Sequence, residues 1–133
     1  METRLDRVIK GREEYNRLRR KIEELQSLAE KTTTLPSQTP VSRSGGNKDA
    51  LWAQLVDYKG QCELQLLVYI EDCRALEQEL ECIRNSDIRT AMKYKYIDAR
   101  TIEDIAERMS FSTRSIDRFL QTGRKIYLRY YPD

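Results

Sequence analysis

The chain has 133 residues, 39% of them apolar and 35% charged, with three cysteines, no histidine and a formal net charge of +2. No run approaches the ~20 apolar residues that a membrane span requires, and the opening METRLDRVIK has no secretory apolar stretch, so a cytoplasmic protein with no membrane contact is expected. Without histidine the commonest general base and the His-dependent nucleophile arrangements are missing, and no glycine loop of the phosphate-cradling kind occurs, so neither catalysis nor a cofactor is expected. Cys62, Cys73 and Cys82 are odd in number and fall in one helical pattern, which reads as reduced small apolar residues rather than a disulfide framework or metal site.

The first element expected is a helix in which Val8, Tyr15, Ile22 and Ala29 recur every seven residues, interleaved with Gly11, Leu18 and Leu25. TTTLPSQTPVSRSGGNKD, residues 32–49, gathers Thr, Ser, Pro, Gly and Asn and reads as a flexible loop. Beyond it Trp52, Leu55, Lys59, Cys62, Leu66, Tyr69, Cys73, Leu76, Leu80 and Ile83 keep a three-four alternation, the pattern of a coiled-coil seam. At ~1.5 Å per residue such a helix is too long to stand without a partner for its apolar face.

Charge divides unevenly along these segments. Lys and Arg against Asp and Glu number nine to seven over residues 1–31 (+2), two to one over 32–51 (+1), two to seven over 52–83 (−5) and eleven to seven over 84–133 (+4). A basic first helix, an acidic second one and a connecting loop favour an intramolecular antiparallel hairpin over residues 1–84. A parallel dimer through residues 52–83 is the rival, and a dimer of hairpins fits both.

After Asn85 the heptad stops. Ser86 stands where a helix N-cap is expected, and Ile88, Met92 and Ile97 give the next helix an apolar side. Thr101 is the expected cap of a short helix with Ile102, Ile105, Ala106 and Met109 inward, and Asp104 is placed for a capping box. Ser112 is the expected cap of the last helix. Two short helices crossing steeply need a small residue at their approach, which Ala106 supplies. Ile105, Met109, Phe111, Ile116 and Phe119 then enclose one core. The fold expected is all-α: a long N-terminal antiparallel coiled-coil hairpin followed by a small helix-turn-helix domain over residues 86–133.

From about Ile88 to Leu128 the chain resembles region 4 of the sigma-70 family, and more closely the small region-4-like regulators of phages and prophages of the ArpU and RinA type. The run YIDARTIEDIAERMSFSTRSIDRFL carries the resemblance, with Tyr96, Ile97, Thr101, Ile105, Ala106, Glu107 and Ser112 at the family's recurrent positions. It covers about a third of the chain, and the preceding part looks like the helical extension such regulators often carry. The family often has glycine where this chain has Ala99 and Ser110, so a left-handed backbone there would cost ~1 kcal/mol or more.

The resemblance implies that the helix from Ser112 enters the major groove of double-stranded DNA. Side-chain chemistry agrees. Arg114 and Arg118 can fork to guanine, Gln121 can pair with adenine, and Asp117 can accept from cytosine or else orient one of the arginines. Ser112, Thr113 and Ser115 at the helix start suit phosphate, as do Arg124 and Lys125 further on. In the tail, Tyr127, Tyr130 and Tyr131 either extend these contacts or pack back on Met92 and Phe119. Lys93, Lys95 and Arg100 are further candidates for backbone contacts. The function expected is sequence-specific transcription regulation, as an activator of late or mobile-element genes in a bacterial host, with RNA polymerase and a second copy as candidate partners. The alternatives are a docking adaptor with a degenerate helix-turn-helix and a DNA-packaging protein like a small terminase subunit.

Overall fold

The computed structural model describes residues 2–34 and 41–132, with side chains outside residues 32–48. Every regular element among them is helical: α1 (Arg4–Thr34), α2 (Val41–Glu79, continued by a 3-10 turn at Leu80–Cys82), α3 (Ser86–Met92, widening into a π-helical turn at Lys93–Ile97), α4 (Ile102–Met109) and α5 (Thr113–Tyr130). No described helix is long and apolar enough to cross a membrane.

The loop expected over residues 32–49 is helical at both of its ends. Residues 35–40 lie outside the described residues, while 32–34 belong to α1 and 41–49 to α2. Propagating an existing long helix through Ser, Gly and Asn costs only ~0.5 to 1 kcal/mol per poor residue, because the expensive nucleation step is already made.

Contacts divide the chain into two compact units, Gly11–Val68 and Met1–Lys10 with Tyr69–Asp133. The boundary expected at residue 84 does not coincide with this division. In the first unit Leu25, Ala29 and Leu55 form a small core with Ile22, Leu51 and Tyr58 against it, and the Gln65 amide donates to the Gly11 carbonyl at 3.4 Å. The stripe expected on α1 is the buried one there, through Leu18, Leu25 and Ala29. On α2 the seam differs at its start. It runs through Leu51, Leu55, Tyr58 and Cys62, leaving Trp52 47% exposed and Lys59 in water. Both registers keep three-four spacing and share Leu55 and Cys62. The observed one replaces a cation by Tyr58, whose ring is buried at less cost than an ammonium.

The second unit has one larger core. Leu5 and Val8 of α1, Leu76 and Leu80 at the end of α2, Met92 of α3, Ile105 of α4 and Ile116, Leu120 and Tyr127 of α5 are all buried in it, and Ile88, Ile97, Met109 and Phe119 pack around them. Beside this core Arg4 donates from Nε to Glu79 Oε1 and from Nη1 to Asp72 Oδ1, both at 2.9 Å. The Tyr127 hydroxyl donates to the same Glu79 oxygen at 2.7 Å. Of the three tail tyrosines, therefore, Tyr127 packs inward, whereas Tyr130 and Tyr131 are exposed and Tyr131 stacks on Tyr127 with 5.1 Å between centroids.

Gly123 fixes the approach of α5 to α3. A Cβ built there would lie 2.6 Å from Met92 Cγ and 2.7 Å from its sulfur. Met92 is itself fully buried, so it has no free space into which to retreat. Gly123→Val is expected to lower unfolding free energy by about 1 to 3 kcal/mol, read as a shifted urea midpoint, and an unchanged midpoint would disprove this packing.

Candidate nucleic-acid interface

The candidate interface is built from three caps and two left-handed residues. Asn85, not Ser86, caps α3, its side-chain oxygen accepting from the Asp87 and Ile88 amides at 2.9 and 3.1 Å. An Asn amide oxygen reaches these donors as well as a serine hydroxyl does, and with Asn85 extended Ser86 becomes the first helical residue. Thr101 caps α4 by accepting from the Asp104 amide at 3.2 Å, and Ser112 caps α5 by accepting from Ser115 at 3.1 Å.

The capping box expected at Asp104 is not made. Its carboxylate receives Arg100 at 2.9 Å and Arg108 at 3.2 Å. These two bonds, Arg100's first, hold the carboxyl below the usual aspartate range. Aspartate is one methylene shorter than the glutamate of a capping box, and two guanidiniums are better partners than one backbone amide.

Ala99 and Ser110 both take left-handed backbone, with φ of 58° and 59°. At Ser110 this ends α4. The Phe111 amide bonds to the Ala106 carbonyl at 3.0 Å and the Ser110 amide to that of Glu107 at 3.4 Å, the two bonds of a Schellman motif. The chain thereby reverses in Ser110–Ser112 and sets α5 against α4 over Ile105, Ala106 and Ile116. Ser110→Gly is expected to raise stability by about 1 kcal/mol, because glycine adopts this backbone without the Cβ clash. Chemical denaturation checks it, and a loss of stability would contradict the assignment.

Phe111 departs from the expected core. It is 38% exposed and meets Phe119 edge-on, with 5.0 Å between ring centroids. The reason is its place one residue past a left-handed turn, which directs it along the rim rather than between the helices.

Ser112, Thr113, Arg114, Asp117, Arg118, Gln121, Arg124 and Lys125 are all exposed, and Ser115 is half-buried. The three-four spacing of 114, 117 and 118, 121, and 124 and 125 puts these on one face of α5, opposite the buried Ile116, Leu120, Gly123 and Tyr127. The face carries four cations and one carboxylate. Asp117 does not hold an arginine as one of the expected alternatives had it; it accepts from the Gln121 amide at 3.1 Å. Arg114, Arg118, Arg124 and Lys125 form no ion pair or side-chain hydrogen bond with any described residue. Ser115 turns back to the cap, its hydroxyl accepting from that of Ser112 at 3.0 Å.

Other basic residues nearby are committed within the fold. Lys93 binds Glu81 at 3.0 Å, holding that carboxyl below its ordinary range. Arg89 donates to the Ile83 carbonyl at 2.8 Å. Arg100, besides binding Asp104, lies 5.8 Å from the centre of the Tyr94 ring. Lys95 is half-buried. Of the basic residues expected to contact DNA, those both exposed and without an ion pair to a described residue are on α5, whereas Lys93 and Arg100 are paired and Lys95 is half-buried. Among the described residues no three His, Cys, Asp or Glu side chains gather as metal ligands, and the three cysteines are free thiols.

A family model described as "Protein of unknown function (DUF1492)" matches residues 34–126, more than half of the chain, and the chain belongs to this family. No curated protein and no solved structure matches it.

Proposed function

We propose that this member of the DUF1492 family is a sequence-specific, double-stranded-DNA-binding transcription regulator in which α4, the Ser110–Ser112 turn and α5 act as a helix-turn-helix. In this reading α5 is the recognition helix. The observation that carries the proposal is the row of cations on α5, beginning at its N-terminus, that have no partner among the described residues, while the neighbouring Lys93, Arg100 and Arg108 are paired internally.

Duplex DNA is a row of phosphates with base edges in a groove wide enough for a helix. The amides at the start of α5, with Ser112 and Thr113, suit a phosphate. Arg114 and Arg118, one turn apart, suit guanine edges, and Gln121, held by Asp117, is pre-aimed for adenine. Arg124 and Lys125 continue along the backbone. The resemblance of residues 88–128 to region 4 of the sigma-70 family supports the same role and points to activation of phage or mobile-element genes, with RNA polymerase as a candidate partner.

For the remainder of the chain the reading is an antiparallel helical hairpin. The pairing of Gly11 with Gln65 and of Leu25 with Leu55 supports it, because the residue numbers rise on one helix as they fall on the other.

The test is selection from a pool of random duplex DNA at two salt concentrations, followed by sequencing. An enriched motif, with affinity falling steeply as salt rises, is the expected result, since each neutralised phosphate releases a counterion. Retention without a motif would leave a non-specific packaging protein. Absence of retention at both salts would discard the DNA reading in favour of a protein-docking one.

A further inference from the structure

We infer that a second copy of this chain covers the outer face of α2, in an isologous pairing where the two Trp52–Val68 segments run antiparallel and cross beside Gly60. Trp52, Val56, Gly60, Leu64 and Val68 recur every four residues and form one ridge, flanked by Leu67, on the side of α2 away from Leu51, Leu55 and Tyr58. This ridge is open to water: Trp52 is 47% exposed, Val56 68%, Leu64 66%, Leu67 59% and Val68 52%. Together these side chains expose on the order of 500 Å², near the upper end for the largest apolar patch of a monomer. A two-fold pairing covers the patch twice, on the order of 1,000 Å², which reaches the size of a specific interface.

Two features select a second copy and its direction. Gly60 stands at the middle of the ridge with nothing within 4 Å of the Cβ it lacks. Its place in a helix interior is unfavourable and unexplained by packing within the chain, whereas at a crossing it lets two backbones approach closely. The segment is nearly neutral, its charges between Trp52 and Val68 being Asp57, Lys59 and Glu63. A two-fold axis perpendicular to the helices near residue 61 sets Lys59 of each copy beside Glu63 of the other and Val56 beside Leu67 and Val68. That pair of opposite charges, repeated by the symmetry, favours the antiparallel arrangement.

Sedimentation velocity of the full chain over a range of concentrations, without DNA, tests this independently of the proposed function. A reversible dimer is expected. Leu64→Glu should weaken it at least about tenfold, with helicity by circular dichroism unchanged because Leu64 is exposed. Lys59→Glu should also weaken it, and Lys59→Glu combined with Glu63→Lys should restore it. A monomer at every concentration would overturn the inference and leave the ridge to a different protein. So would a dimer indifferent to Leu64→Glu, or a paired charge reversal that fails to restore association.

Discussion

Replacing Tyr127 by alanine is expected to destabilise the unit that contains α5 by about 3 to 5 kcal/mol. Tyr127 is the largest of the fully buried side chains, and its ring lies in a core joined by α1, α2, α3, α4 and α5. Removing it opens a cavity that the surrounding side chains, already close-packed, fill only in part. The hydroxyl adds a separable effect. Tyr127→Phe keeps the ring and removes one charge-assisted bond to Glu79, for an expected loss of about 1.5 kcal/mol. The lower end of the range applies because Arg4 still holds the carboxylate.

Alkaline pH separates the two contributions. Burial first, and then the bond to Glu79, push the Tyr127 phenol well above the ordinary tyrosine range. The unfolded chain releases this proton near pH ~10 while the folded chain keeps it, so stability present at neutral pH is lost as pH rises beyond ~10. Tyr127→Phe should flatten that decline, although Tyr96, whose phenol is also raised by burial, titrates in both proteins. Urea unfolding of wild type and Tyr127→Phe on either side of pH ~10 gives the comparison. Parallel curves would remove Tyr127 from the account of alkaline unfolding.

Loss of base recognition is the second large effect expected. Arg114→Ala and Arg118→Ala should each cost about 1 to 3 kcal/mol on the selected DNA site, roughly 5- to 150-fold in Kd, and relax preference at one base position. Both side chains are exposed and without a partner among the described residues, so neither substitution should alter thermal unfolding. Lys125→Ala serves as contrast: a phosphate contact weakens all sequences alike and lowers the slope of affinity against salt by about one ion. If the arginine variants lost equally on random DNA, α5 would be a phosphate-binding helix without base readout.

Much of the candidate interface was legible because its signals are local. Thr101 and Ser112 are hydroxyls immediately before amphipathic runs, and each makes the cap its position announces. The outward set from Ser112 to Lys125 follows from helical spacing against Ile116 and Leu120. Ala99 and Ser110, which stand where the resembling family often has glycine, do take left-handed backbone, so those positions keep the conformation that glycine serves elsewhere. Local signals also misled where two neighbours compete for one task, as with Asn85 beside Ser86, or where a side chain had a stronger partner, as with Asp104.

By itself the sequence determined an all-helical chain, the periodic stripes of its two long helices and a basic last helix with its polar face, since each depends on residues within a few turns of one another. Tertiary structure alone decided which of two equally spaced registers α2 buries, and so which apolar ridge it leaves in water. It also decided that Glu79 receives both Arg4 and Tyr127, and that Gly123 rather than any larger residue must face Met92. Those outcomes rest on contacts between residues tens of positions apart. No periodicity reports such contacts, because their energies depend on which surfaces meet and not on the order in which residues are written.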